Sequence, residues 1–311
     1  MTSIIAPASV KTPLAPRDGR GWLRKQGRLV YVLPAAVFLG ILAIYPLFQL
    51  VRMSLSAVTS STLQDPWDFI GFGNFVADAQ SGSLWAALGN TAIFAVIVTV
   101  IGLVAGFASA VALRGSGKAS AFLLGLMVFI WALPPVVNGS VWKFLLGDDG
   151  LFNTLIRAVG ITHGSVPFLY DQHLALYSVA LVNSWAIVPF NALVFRAAIL
   201  GIPGEVFEAA KLDGARPFQE IRYILIPAVR PTTLVLTVLT VVYAFRSFDF
   251  IYVMTYGGPG TATNTLPFLG YLQAFVQYSY GTGSATAVIA VLLVVVLAVV
   301  YARSVRKEES E

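Results

Sequence analysis

The chain has 311 residues, of which 57% are hydrophobic and only 11% charged, with a formal net charge of +5 and no cysteine. That balance excludes a soluble globular fold, and the missing thiols exclude disulfide scaffolds, thiolate metal sites and cysteine nucleophiles. The surplus Lys and Arg lie beside apolar runs rather than on one face of a soluble module, which reads as a topological signal and not as a nucleic-acid footprint.

Residues 1–28 are expected to be a cytoplasmic amino-terminal tail, rich at first in Ala, Pro, Thr and Ser and ending on Arg24, Lys25 and Arg28. The first apolar run, 29–51, is too long for a signal-peptide core and is expected to stay as a span. Further spans are expected at about 88–113, 122–142, 174–195, 232–254 and 284–301. Each is near the ~20 residues that cross ~30 Å of hydrocarbon as helix. Lipid satisfies no backbone polar group, so the predicted fold is all-α, a polytopic bundle of about six spans over residues 29–302, with a short tail at 303–311.

Orientation follows from where the basic residues fall. Arg114, Lys118, Arg196, Lys211, Arg216, Arg222, Arg230, Arg303, Arg306 and Lys307 lie on the side of the amino-terminal cluster, whereas Arg52, Lys143 and Arg157 lie on the other. Both termini and the loop at 203–231 are therefore expected in the cytoplasm, with 53–87, 143–173 and 255–283 outside. Pro134, Pro135 and Asn138 are predicted to interrupt the third span and Pro189 the fourth, because each proline lacks a donor and clashes with the preceding turn. Broken helices of this kind line a substrate path in some transporters and are packing kinks in others. In the last outer loop, Phe268, Leu272, Phe275 and Val276 recur at helical spacing, which predicts a short interfacial helix.

The loop at 203–231 carries the densest signal. After Pro203, Glu205 to Lys211 are good helix formers with acids at the amino end, Gly214 permits a reversal, and Pro217 can open a second helix through Ile226. The prediction is helix, turn, helix. Ala209 and Ala210 would let that face enter a narrow groove on another protein, with Glu208 and Asp213 at the rim for ionic contacts. On its own the loop reads equally as a solvated connector.

Glu208-Ala209-Ala210, Gly214 and the ending Ile224-Leu225-Ile226-Pro227 resemble the signature loop of the permease subunits of binding-protein-dependent ABC importers, with Ile226 where the pattern has Leu. Phe248 to Pro259, Ile70 to Phe75 and Ala87 to Thr91 are similar to carbohydrate-importing permeases of the maltose and glycerol-phosphate type. The resemblance spans roughly 31–301. It implies a loop that docks on a cytoplasmic ATPase dimer with Glu208 as its main polar contact. It further implies a second homologous permease, an extracytoplasmic substrate-binding protein, and uptake of a sugar or related polyol by alternating access.

The chain itself has no phosphate loop: its Gly117-Lys118 pair is followed by Ala119, and position 112 is Ala. ATP and magnesium are thus expected on the partner, with no cofactor, metal or catalytic residue here. His163, Asp171 and His173 lack a third ligand at metal spacing, and Asp148-Asp149 reads as an external turn. For the substrate path the candidates are Asn183, Trp185, Phe190, Asn191, Tyr243, Arg246 and Asp249. Amides can bind hydroxyls and rings can cover sugar faces; each of these residues reads equally as ordinary interhelical packing. Arg246 and Asp249, three apart, are expected either as an ion pair with each other or a neighbouring helix, or as part of a gate. Three rivals stand beside this reading: a self-sufficient secondary transporter or channel, an intramembrane enzyme, and an ABC permease for a non-sugar solute.

Overall fold

The structure is a computed structural model that describes residues 20–308. Of the two expected tails, 1–19 and 309–311 lie outside that range, while 20–28 and 303–308 are helical continuations of their neighbouring spans. Two units divide at Gln49 and Leu50. The first holds most of helix α1 (Arg20–Ser54), whose stretch Leu33–Ser54 is apolar and long enough to cross a membrane.

The second unit opens with a two-stranded antiparallel hairpin, β1 (Ser56–Ala57) and β2 (Asp68–Phe69), and continues into α2 (Gly73–Gln80) and α3 (Ser83–Ala112). Next come α4 (Lys118–Ala132), α5 (Pro135–Leu145), α6 (Leu151–Ala158) and α7 (Ala175–Leu200). The middle loop contains α8 (Gly204–Leu212), α9 (Pro217–Glu220), a π-helical turn at Ile221–Leu225 and α10 (Ile226–Ala228). The chain ends with α11 (Arg230–Phe245), α12 (Asp249–Met254), α13 (Leu266–Tyr271), a second π turn at Leu272–Val276 and α14 (Tyr280–Glu308). Four described helices are long and apolar enough to span a membrane, and six spans result when two bent pairs are each counted as one.

Both bends have a backbone cause. Leu133 is extended (ψ 134°) before Pro134, as steric conflict with a proline ring demands, and Pro135 then opens α5 at an angle of 102° to α4. The second bend, 69°, falls at Val229 between Pro227 and Pro231.

Three expectations are corrected here. Pro189 does not interrupt α7, which runs unbroken from Ala175 to Leu200; close packing along α3 holds it in helix despite the missing donor. The fifth span does not continue to residue 254, since α11 stops at Phe245 and α12 starts afresh at Asp249. Ser247 is buried in that gap, and its hydroxyl accepts a hydrogen bond from Asn183 Nδ2 at 2.9 Å. The outer helix exists at Leu266–Val276, but its buried residues are Leu266, Phe268, Leu269, Gly270 and Gln273, and Phe275 and Val276 are exposed.

The tightest packing is between α3 and α7. Gly102 and Gly106, four apart, let the backbones approach: a Cβ at Gly102 would lie 2.9 Å from Ile187 Cγ2, and one at Gly106 would lie 2.6 Å from Asn191 Cβ. Above this seam Phe94, Val98, Val179, Ile187, Phe250 and Met254 form one core, and below it Ala110, Phe195, Ile199, Leu225, Val229 and Leu236 form another.

Candidate functional site

The middle loop folds as a helix, a reversal and a second helix. Glu205 sits in the first turn of α8 and Lys211 in the last, each complementing the helix dipole. Gly214 at φ 74° closes α8: its amide donates to the Lys211 carbonyl at 3.1 Å, and the Ala215 amide donates to the Ala210 carbonyl at 2.9 Å. This paired closure satisfies the last carbonyls with no side chain and requires the left-handed residue that glycine supplies without strain. Gln219 Oε1 then accepts from the Arg216 amide at 2.7 Å, which starts the second helix at Pro217.

Besides Leu225 and Val229 in the lower core, Phe207 and Arg114 tie α8 and α9 to the bundle. Phe207 packs into the lower core, and the Arg114 guanidinium lies 6.0 Å from its ring centroid. Arg114 also forms an ion pair with Glu220, whose side chain is only 14% exposed. Apart from Phe207 and Ala210, the residues of α8 are exposed. Glu208, Ala209, Asp213 and Gly214 are exposed and Ala210 is half-buried. Glu208 and Asp213 make no side-chain hydrogen bond or ion pair among the described residues, and Leu212 is 90% exposed. Between the arms lies a groove of about 300 Å³ lined by Ala210, Asp213, Gly214, Gln219, Tyr223 and Ile224 among others.

The second candidate region is a polar seam along α7 and α11. Asn183 bonds to Ser247, and Thr240 Oγ1 donates to Asn191 Oδ1 at 3.2 Å. Both amides are fully buried, and each keeps one atom without a partner, Asn183 Oδ1 and Asn191 Nδ2. Beside the seam, where α4 and α5 break, a cavity of about 270 Å³ is lined by Trp131, Pro135, Asn138, Ala186, Tyr243 and Phe250 among others. Phe190 stacks on Trp131 with centroids 5.7 Å apart, and Trp185 packs edge-on against Trp142. The structure thus brings Asn183, Phe190, Asn191 and Tyr243 to one neighbourhood, with Trp185 engaged elsewhere on α7.

Arg246 and Asp249 do not pair. Both are exposed and no ion pair joins them, because the break places Arg246 at the end of α11 and Asp249 in the first turn of α12. Trp131, Thr240 and Ser247 are not among the residues expected at the site, and Asn138 is expected only as part of the break in the third span. A signal for two of them exists in the sequence: Thr240, Tyr243 and Ser247 recur at three and then four positions, polar residues at helical spacing, of which the first two lie on α11 and Ser247 in the break after it.

The outer segments also meet. Asn90 Nδ2 donates to the carbonyls of Thr261 (3.2 Å) and Asn264 (2.9 Å), and Thr91 Oγ1 accepts from the Leu266 amide at 2.9 Å. The Asn-Thr pair on α3 is therefore a brace for the loop after Gly257-Gly258-Pro259. Replacing Asn90 with Ala removes both hydrogen bonds and is expected to cost about 0.5–1.5 kcal/mol, read as a lowered unfolding midpoint in detergent. An unchanged midpoint would show that water replaces the brace.

Residues 99–309 match the family described as the binding-protein-dependent transport system inner membrane component. The chain is 28% identical to the trehalose/maltose transport system permease protein MalF of Thermococcus litoralis, over 89% of this chain and 93% of that one. It is 30% identical to the sulfoquinovosyl glycerol transport system permease protein SmoG of Agrobacterium fabrum, over 93% and 94%. In fold it matches a chain of a bacterial ABC transporter involved in the import of the acidic polysaccharide alginate, with a TM-score of 0.78, 21% identity and coverage of 93% and 99%. An all-helical bundle of four to six apolar spans, a match across two thirds of its length and relatives aligned nearly end to end lead to one conclusion: this chain belongs to the binding-protein-dependent transport inner membrane family, the permease subunits of ABC importers.

Proposed function

We propose that this permease forms half of a transmembrane path for a sugar or related polyol, with a second homologous permease as the other half. An extracytoplasmic binding protein delivers the cargo, and a cytoplasmic ATPase dimer binds ATP and magnesium. The observation that carries the reading is the α8 loop: an outward-facing helix with an unpartnered Glu208, held to the bundle through Phe207 and the Arg114–Glu220 pair. Closure of the ATPase dimer draws Glu208, Ala209, Ala210, Asp213 and Gly214 with it. The spans then rock between inward-open and outward-open states. This reading puts the loop and both termini on the cytoplasmic side.

The cargo class is supported by the relatives, named for trehalose/maltose and sulfoquinovosyl glycerol transport. Within the bundle, the cavity by Tyr243 and Asn138, the buried amides Asn183 and Asn191, and the Phe190–Trp131 stack offer hydrogen-bonding groups beside ring faces. That combination suits a hydroxylated solute. Trp185, Arg246 and Asp249 remain part of the proposed path only at its margins.

The test is reconstitution with the partners that co-purify from native membrane. Uptake is expected to require ATP, to persist when ion gradients are collapsed, and to be competed by the co-purified sugar rather than by glycerol phosphate. Uptake by the chain alone, or driven by an ion gradient without ATP, would replace this reading with that of a secondary transporter.

A further inference from the structure

Six aromatic rings form a continuous row where α12 meets α13 and the second π turn. Phe248 stacks on Tyr252 at 5.3 Å between centroids and on Phe268 at 5.7 Å, and Tyr252 continues to Tyr256 at 5.4 Å. Tyr271 packs edge-on against Phe248 and Tyr252 at 5.0 and 5.8 Å and extends the row to Phe275 at 5.6 Å. Only the floor is buried. Phe268 is enclosed and Phe248 and Tyr271 are half-buried, whereas Tyr252, Tyr256 and Phe275 are 41%, 50% and 63% exposed.

The backbone turns sharply to build this row. Tyr256 holds φ at 52°, a left-handed value that tyrosine rarely takes, and its amide donates to the Ile251 carbonyl at 2.8 Å. Gly257 follows at φ 83°, where a Cβ would lie 2.6 Å from Phe268 Cε1. The turn sets the Tyr256 ring edge-on to Phe268 at 5.5 Å and leaves half of that tyrosine in the open. Backbone strain spent on holding an exposed ring in place directs attention to what the ring touches.

Two charges bear on what covers this face. Asp249 is exposed on α12 three residues before Tyr252, on the same side of the helix, and Arg246 is exposed at the end of α11 just before it. Asp249 forms no ion pair among the described residues. Lipid laid against the rings would have to strip water from that carboxylate, which is expensive, so the face opens on water. Rings edged with phenol hydroxyls and a carboxylate suit the C–H face of a pyranose, whose rim hydroxyls find acceptors and donors at Tyr252, Tyr256 and Asp249. The row also leads inward: Phe248 packs against the same core as Tyr243, and Phe250 of α12 lines the cavity beside Tyr243. We propose that the α12–α13 ring row is a sugar-binding surface at the mouth of the path, on which a pyranose stacks before it enters that cavity. The assignment rests on the sugar reading given above.

The test uses the full chain with its co-purified partners in nanodiscs, with maltose, trehalose and methyl glucoside as ring probes and glycerol as a polyol without a ring. Tyr256→Trp keeps a ring and reports from it. Its fluorescence, less that of the unsubstituted complex, is expected to change saturably with each ring sugar and not with glycerol. Adding Tyr252→Ala should weaken that response roughly tenfold, the loss of one stacked ring, and Tyr252→Phe should restore most of it. The chain has no cysteine, so Tyr256→Cys gives it a single thiol, which a membrane-impermeant maleimide is expected to modify in the assembled complex. A thiol shielded in the absence of sugar means that lipid or a partner covers the face, and overturns the proposal. So does a tryptophan signal that follows no ring sugar, or follows glycerol equally. Uptake is scored on the same preparation. Sugar uptake at the wild-type rate without any fluorescence response removes this surface alone, whereas a preparation that takes up only a non-sugar solute removes the cargo reading and the surface together.

Discussion

Glu208→Lys is expected to leave the permease in the membrane with its partners while substrate-stimulated ATPase activity and uptake fall by roughly thirtyfold. Glu208 is exposed and has no side-chain partner among the described residues, so its charge contributes nothing visible to the fold. Phe207 and the Arg114–Glu220 pair, which do hold the loop, are untouched. On the proposed docking of α8, inverting the charge at the centre of the contact costs what a hot spot carries, about 2 kcal/mol or more, which corresponds to that loss. Glu208→Gln keeps the shape and removes only the charge, and should fall between the two. The measurement is ATP hydrolysis and uptake in proteoliposomes at matched permease content. Wild-type uptake by the Lys variant would remove Glu208 from the mechanism.

The second large effect is structural. A methyl group at Gly106 would stand 2.6 Å from Asn191 Cβ and 3.3 Å from the Ala192 backbone nitrogen, so α3 and α7 must separate to admit it. Gly106→Ala is expected to cost about 1–3 kcal/mol as overpacking, although alanine is the better helix former. Gly106→Leu should prevent assembly. Gly125 on α4 has nothing within 4 Å of its Cβ position, so Gly125→Ala is the control and should be neutral or stabilising. Thermal unfolding in detergent, followed by circular dichroism, separates the cases. A wild-type midpoint for Gly106→Ala would show that the seam is looser than its geometry.

How much of this was legible in the sequence depends on the distance over which each feature is encoded. Apolar runs give helices because lipid leaves the backbone no alternative, and Pro134-Pro135 announces the break between α4 and α5 through local sterics alone. The helix, the Gly214 reversal and the Pro217 start are equally local. Pro189 misleads for the opposite reason: its effect is decided by the neighbouring helix, which the chain does not display in order. The stop at Phe245 carries no Gly or Pro, and the contact that occupies the break, the Asn183–Ser247 hydrogen bond, links residues 64 apart. The hydrogen bonds that Asp78 accepts from Gln273 and Thr286 join residues separated by 195 and 208 positions, which no periodicity reveals. Asn90 and Thr91 were legible as part of a resemblance, but their reason, bracing the loop that precedes α13, required coordinates.

The α3–α7 pair runs in step: Gly102 meets Ile187, Gly106 meets Asn191, and the Leu113 carbonyl accepts from Arg196 Nε at 2.9 Å. Rising numbers on both sides mean that the two helices are parallel, and both end at the α8 loop. One end of the loop continues α7, and its second helix is gripped, through Glu220, by Arg114, two residues after the end of α3. A tug on α8 is consequently shared by two struts, and it can tilt or translate them together far more readily than it can twist one against the other.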